Sequence, residues 1–183
     1  MYGFECALKA SRGACPEKSC IYPQVCPLLG LTHEHQLALL KTLRQVPGVR
    51  KVFISSGIRH DMVMADVEYG EEYLQELVNY HVSGQLKLAP EHSQPAVLRR
   101  MRKPSVQSLL AFKQRFDALS KAAGKKQFLT YYLIAAYPGC TQEDMFALKR
   151  FASEKLGVLP EQVQIFTPTP STYASLMYYT EKD

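Results

Sequence analysis

QFLTYYLIAAYPGCTQED, residues 127–144, is the stretch from which the rest of the chain can be read. Positions 128–136 are aromatic, aliphatic and β-branched with almost no polar interruption, the composition of a strand buried on both faces of a parallel sheet. Tyr137, Pro138 and Gly139 break that strand. Thr141, followed by Glu143 and Asp144, then supplies the hydroxyl cap and first-turn acids that a helix start prefers. The unit is strand, turn, helix, with the turn at the carboxyl end of the strand, where α/β folds place their ligands.

The same rhythm extends in both directions. Upstream, residues 85–89 (QLKLA) predict a strand ending in Pro90-Glu91-His92, and residues 52–54 (VFI) a short buried strand closed by Ser55-Ser56-Gly57 and followed by Arg59, His60 and Asp61. Downstream, residues 163–166 predict a strand running into Thr167-Pro168-Thr169. Between them lie helical patterns. Leu37, Leu40, Leu43 and Val46 share one stripe behind a Thr32 cap, and residues 71–81 turn Tyr73, Leu74, Leu77 and Val78 inward. Residues 96–101 (AVLRRM) form a short basic helix. A longer helix capped by Ser105 carries Leu109, Phe112, Phe116 and Leu119, and the one after Thr141 carries Met145, Leu148, Ala152 and Leu156 up to Gly157.

Strand starts roughly 35 to 40 residues apart leave room for helical crossovers, which make neighbouring strands parallel. The predicted fold is therefore α/β: a partial (βα) barrel, or an open parallel sheet of about four strands. A closed eight-stranded barrel takes ~250 residues, against 183 here. The chain divides into a cysteine-rich loop segment (1–31), the βα body (32–172) and a tail without clear period (173–183).

Bulk properties narrow the function classes. With 46% apolar and 21% charged residues the chain is built to fold rather than stay disordered. A formal charge of +5 permits an anionic ligand without demanding one. No window approaches eighteen uninterrupted apolar residues and no basic segment leads into an apolar core, so a membrane span and a signal peptide are not expected and a cytoplasmic location is. In that compartment the five cysteines are thiols or metal ligands rather than disulfides.

Chemistry-bearing residues gather at the predicted strand ends. Glu91 and His92 are an acid/base or ligand pair by type, although adjacent residues on an extended chain point to opposite faces. Arg99, Arg100, Arg102 and Lys103 can contact a carboxylate or phosphate, while most such runs are solvated helix faces. Cys6, Cys15, Cys20 and Cys26, with eight, four and five residues between them, permit zinc or iron–sulfur ligation, though this spacing matches neither zinc-ribbon pairs nor a ferredoxin run. Cys140, just before a helix start, is placed for a lowered thiol pKa.

In these segments the chain resembles the radical SAM superfamily, and more closely the YgiQ-type radical SAM proteins: KVFISSGIRHD (51–61), SGQLKLAPEHS (83–93), LRRMRKP (98–104), GKKQFLTYYLIAAYPGCTQEDM (124–145), QVQIFTPTPST (162–172), MYYT (177–180) and CPEKSCIYPQVCP (15–27). The resemblance covers almost the whole chain. It implies part of a (βα)6 barrel that binds S-adenosylmethionine on its carboxyl rim beside a [4Fe-4S] cluster, from which an injected electron generates a 5′-deoxyadenosyl radical. Carried over by position, Glu91 faces the ribose or amino-acid end of the cofactor, and Arg102 or Lys103 pairs its carboxylate. Ile134 packs on adenine, Pro138 and Gly139 shape the turn beside it, and Thr167 and Pro168 close the pocket. Where the family has an acidic residue after Pro-Gly, this chain has Cys140.

One departure is larger. The CxxxCxxC loop that holds the radical cluster has no counterpart among cysteines 6, 15, 20, 26 and 140, nor does the glycine-rich cofactor strand of the superfamily. The expectation is a portion of an enzyme core whose cluster ligands lie on a missing N-terminal segment, in cis or in trans, with no catalytic residue of its own and no radical chemistry alone. The four N-terminal cysteines are then an auxiliary zinc or iron–sulfur site. Rival readings are a basic module that meets nucleic acid through residues 99–103 with Tyr131 and Tyr132, which no compact RNA motif supports, and a poorly folded piece with raw sheet edges.

Overall fold

The computed structural model of the chain describes residues 3–13, 15–16, 19–55, 57–160 and 163–182. Ser56, expected at the end of a strand, and Glu17 and Lys18 of the cysteine segment lie outside them. Strand β1 (Gly3–Cys6) leads into a short helix α1 (Ala7–Arg12), and β2 (Leu29–Thr32) returns antiparallel to β1, with Gly3 opposite Thr32 and Cys6 opposite Leu29. The segment expected to be all loop thus contains a two-stranded ribbon, closed by backbone pairing that proline and glycine spacing does not reveal.

Helices α2 (Glu34–Gln45), α3 (His60–Ala65) and α4 (Gly70–Glu76) follow, and α4 continues as a π-helical turn (Leu77–His81). The cap of α2 is His33 rather than Thr32. Thr32 Oγ1 accepts from the Glu34 amide at 3.1 Å, while the buried His33 ring pairs with Asp66 at 2.8 Å and ties α2 to the turn before α4. Strand β3 (Gln85–Glu91), helices α5 (Pro95–Met101) and α6 (Val106–Ala122), strand β4 (Phe128–Ala135), helix α7 (Gln142–Phe151) with its π-helical turn (Ala152–Leu156), strand β5 (Gln164–Ile165) and helix α8 (Tyr173–Thr180) complete the described chain. The tail without sequence period is therefore largely helix, started by Thr172, whose Oγ accepts from the Ser175 amide at 3.2 Å. No helix among the described residues is long and apolar enough to cross a membrane.

β4 lies between β3 and β5 in an all-parallel sheet that does not close. Residues 52–54 do not form the fourth strand. The backbone there donates from Ile54 to His81 O at 3.0 Å, and among the described residues of this segment Ile58 reaches the sheet, in a parallel bridge to Leu88. The architecture is an open α/β sheet with helical crossovers, as the strand-helix rhythm implied.

The sheet has one covered face. Leu86 and Leu88 are in register with Leu129 and Tyr131, and they pack into one core with Tyr73, Leu74 and Leu77 from the α4 region and Leu109, Phe112 and Phe116 of α6. Burial of each such side chain stabilises the fold by about 1.5–3 kcal/mol. Gln85 and Lys87 share the other face with Phe128 and Thr130, and there Phe128 stays 58% exposed and Tyr132 40%. β4 is consequently not buried on both faces, as its composition suggested: helices cover one side, and the apolar residues of the other look outward.

Candidate functional site

The carboxyl end of β3 is irregular because the register to β4 slips between Leu88 and Glu91: Leu88 opposes Tyr131, but Glu91 opposes Leu133. Pro90, which has no amide to donate, sits in that slip, and Glu91 adopts a left-handed φ of 66°. The bend aims the half-buried Glu91 carboxylate at Lys103 Nζ, 2.8 Å away, and the same ammonium donates to Ala89 O at 3.3 Å. Lys103 is delivered by the end of α5, where Arg102 turns left-handed (φ 52°) and the Lys103 amide donates back to Leu98 O at 2.9 Å. Glu91 and Lys103, singled out by resemblance, are thus brought together.

The turn after β4 forms the neighbouring part of the rim. Ala136 and Gly139 are both left-handed (φ 56° and 74°), and the Cys140 amide closes the turn on Tyr137 O at 2.8 Å. Arg100 fills the space against it, donating to Gly139 O at 3.3 Å, and a Cβ on Gly139 would lie 2.7 Å from the Arg100 Cζ. Pro138 and Gly139 therefore meet Arg100, in a cleft of ≈ 480 Å³ that is also lined by Met177 and Tyr178. Arg102 diverges: its guanidinium lies over the Tyr173 ring at 5.3 Å, away from Glu91. The structure thus favours Lys103 over Arg102 as the cation beside Glu91.

Ile134 is half-buried opposite Gln164 of β5; Thr167 is exposed and donates to Ile165 O at 3.4 Å, and Pro168 is half-buried. An edge-on ring contact from Tyr137 to Phe166 (5.2 Å) and a tilted one from Phe166 to Tyr178 (6.0 Å) hold α8 over this end of the sheet. Neither these tail residues nor the role of Arg100 was visible in the sequence, since α8 lacks a period and one arginine in a basic run looks like the next.

Glu91 and His92 separate as their adjacency implied. The buried His92 ring accepts the Gln94 amide on Nδ1 at 3.0 Å and places Nε2 3.5 Å from Cys140 Sγ. Burial holds the His92 pKa below its ordinary value, against the pull of Asp144. The expectation of a lowered Cys140 pKa is corrected: burial, reinforced by the Asp144 carboxylate, pushes the thiol up. His60, at the start of α3, is also buried; its Nε2 has no hydrogen-bond partner among the described residues, and burial lowers its pKa to about 4 despite Asp61, with Arg59 and Lys103 pushing the same way as burial.

Of the N-terminal cysteines, Cys20 and Cys26 are joined through the backbone, Cys26 N donating to Cys20 O at 2.8 Å. Cys6 stands at the junction of β1 and α1, Cys20 and Cys26 lie in the loop before β2, and Cys15 and Cys20 are exposed. Among the described residues no group of three or more His, Cys, Asp or Glu side chains is placed to hold a metal.

No family model matches the chain. Among curated proteins it is 54% identical over all 183 residues to a UPF0313 protein of Fusobacterium nucleatum. The chain is similar to UPF0313 proteins along its whole length. Identity is 45% both to one of Thermotoga maritima and to one of Methanosarcina mazei, again over 183 residues. The chain spans 32%, 32% and 28% of the lengths of these three relatives, and their names state no activity.

Proposed function

We propose that the chain forms part of a radical SAM iron–sulfur enzyme core and contributes the wall that holds S-adenosylmethionine. The observation that carries this reading is the Glu91–Lys103 pair at the carboxyl end of β3 in a parallel sheet. The amino-acid end of the cofactor is an ammonium next to a carboxylate. A carboxylate and an ammonium 2.8 Å apart match that zwitterion if each exchanges its present partner for the ligand's opposite charge. Ile134, farther along β4, offers an apolar contact for adenine, and the left-handed turn at Ala136 and Gly139 bounds the same rim. The sequence resemblance supports the reading, and the chain spans about a third of the length of the relative from Fusobacterium nucleatum. The chain's own cysteines lack the CxxxCxxC spacing of the radical cluster loop. Cluster ligation and electron injection are therefore assigned outside these residues.

Binding of S-adenosylmethionine is tested by thermal melting. At a concentration of about 100 Kd the ligand stabilises by ~2.7 kcal/mol, a rise of roughly 5–10 °C for a chain of this size, and Ile134→Ala should shrink the rise without lowering the ligand-free melting temperature by as much. An unchanged melting temperature at millimolar ligand would refute the reading.

A further inference from the structure

His60 is left without a role by this reading, and its surroundings connect it to the Glu91–Lys103 pair. The Ile58 amide donates to Lys87 O at 3.3 Å and Ile58 bridges to Leu88, so the chain runs beside β3 up to the point where the register slips. His60, two residues on, opens α3 at that end of the strand. Its ring is 5% exposed, packs edge-on against Phe112 at 6.2 Å and leaves Nε2 without a hydrogen-bond partner among the described residues. A buried polar atom left unpaired destabilises a fold, and an apolar side chain of similar size would occupy the same space without that cost. Lys103 is unsaturated in turn: its ammonium has three donors, of which one goes to Glu91 and one to Ala89 O.

We infer that His60 is a positioning residue for Lys103: when a bound ligand takes Glu91, the His60 imidazole accepts a hydrogen bond from the Lys103 ammonium and holds it toward the ligand's carboxylate. This rests on the proposal that the Glu91–Lys103 pair receives the amino-acid end of S-adenosylmethionine. With its proton on Nδ1, a neutral imidazole presents a lone pair at Nε2. Burial, together with the positive charges of Arg59 and Lys103, keeps the ring neutral against the pull of Asp61. Because Nε2 is closed to solvent, the group that meets it is the protein's own lysine, whose charge already acts on the ring. Lys103 carries its ammonium on a flexible four-carbon stem, while its backbone amide is anchored to Leu98 O at 2.9 Å, so the ammonium can change partners without moving α5. The acceptor that stands idle in the free protein is the one the bound state uses.

Calorimetric titration of S-adenosylmethionine into the full chain and its His60 variants tests it. His60→Leu should bind about tenfold more weakly than the parent, and its melting temperature should not fall, since the unpaired nitrogen is gone. His60→Gln, whose side-chain carbonyl accepts in place of Nε2, should keep the parent's affinity. Added to Lys103→Met, His60→Leu should weaken binding no further, because the group it positions is absent. Equal binding by His60→Leu and the parent, a His60→Gln as weak as His60→Leu, or the same loss from His60→Leu with and without Lys103 would each overturn the inference while leaving the cofactor reading in place. Absence of binding to the parent would overturn both.

Discussion

Buried histidines set how this protein responds to acid. Burial lowers the pKa of His33, His60 and His92 from 6.5, for His60 to about 4. An unfolded chain takes up protons on these rings as pH falls below ~6.5 while the folded chain resists, so their contribution is whole above ~6.5 and is lost as pH falls toward the lower folded values. Asp61 and Asp66 act later. Burial favours their neutral forms, but Arg59 beside Asp61, and the Tyr69 and His33 groups bonded to Asp66, bring both pKa values below the usual carboxylate range, so their stabilisation fails only in stronger acid. Melting curves should therefore drop by roughly 5–10 °C between pH 7.5 and 4.5, and His60→Gln should flatten the slope. At Gly70 a Cβ would run into the Val63 carbonyl oxygen, a backbone atom that cannot swing aside. Gly70→Ala should cost about 1–3 kcal/mol, read as a lower denaturation midpoint at unchanged m-value. Residue types announced Glu91 and Lys103 but not their mutual distance, which arises from a register slip and a left-handed Arg102 that the letters do not encode.

At the scale of elements, helix starts were the most legible features because caps are local. Thr141 and Asp144 form a reciprocal capping box, Asp144 N to Thr141 Oγ1 at 3.2 Å and Thr141 N to the Asp144 carboxylate at 2.9 Å. Thr141→Ala should destabilise by about 1 kcal/mol, visible as a loss of roughly 2–4 °C in melting temperature. Strands were less legible. The apolar run at 128–136 predicted burial on both faces, and the alternation of buried Leu129 and Leu133 with exposed Phe128 and Tyr132 shows why that failed: composition reports affinity for apolar surroundings, not whether a second layer is present. Residues 52–54 fell short of a strand for the converse reason, since a three-residue apolar run takes its backbone partners from wherever the chain passes, here His81. The β1–β2 ribbon and α8 escaped notice because neither shows amphipathic period.

At the scale of the whole molecule, the described residues form an open parallel sheet covered by helices on one side. The carboxyl rim carries the proposed cofactor wall. Because no cluster-binding run is present in these residues, anaerobic iron–sulfide reconstitution of this chain alone should yield no 5′-deoxyadenosine from S-adenosylmethionine. Product formation would show that the radical site is complete within it. The central claim is that Glu91 and Lys103 hold the amino-acid end of the cofactor, and calorimetric titration of S-adenosylmethionine into the chain and its Glu91→Gln and Lys103→Met variants tests it most directly. Saturable one-site binding, weakened about tenfold or more in each variant with the fold intact by circular dichroism, is the predicted result; no binding to the parent chain, or equal binding by all three, would contradict it.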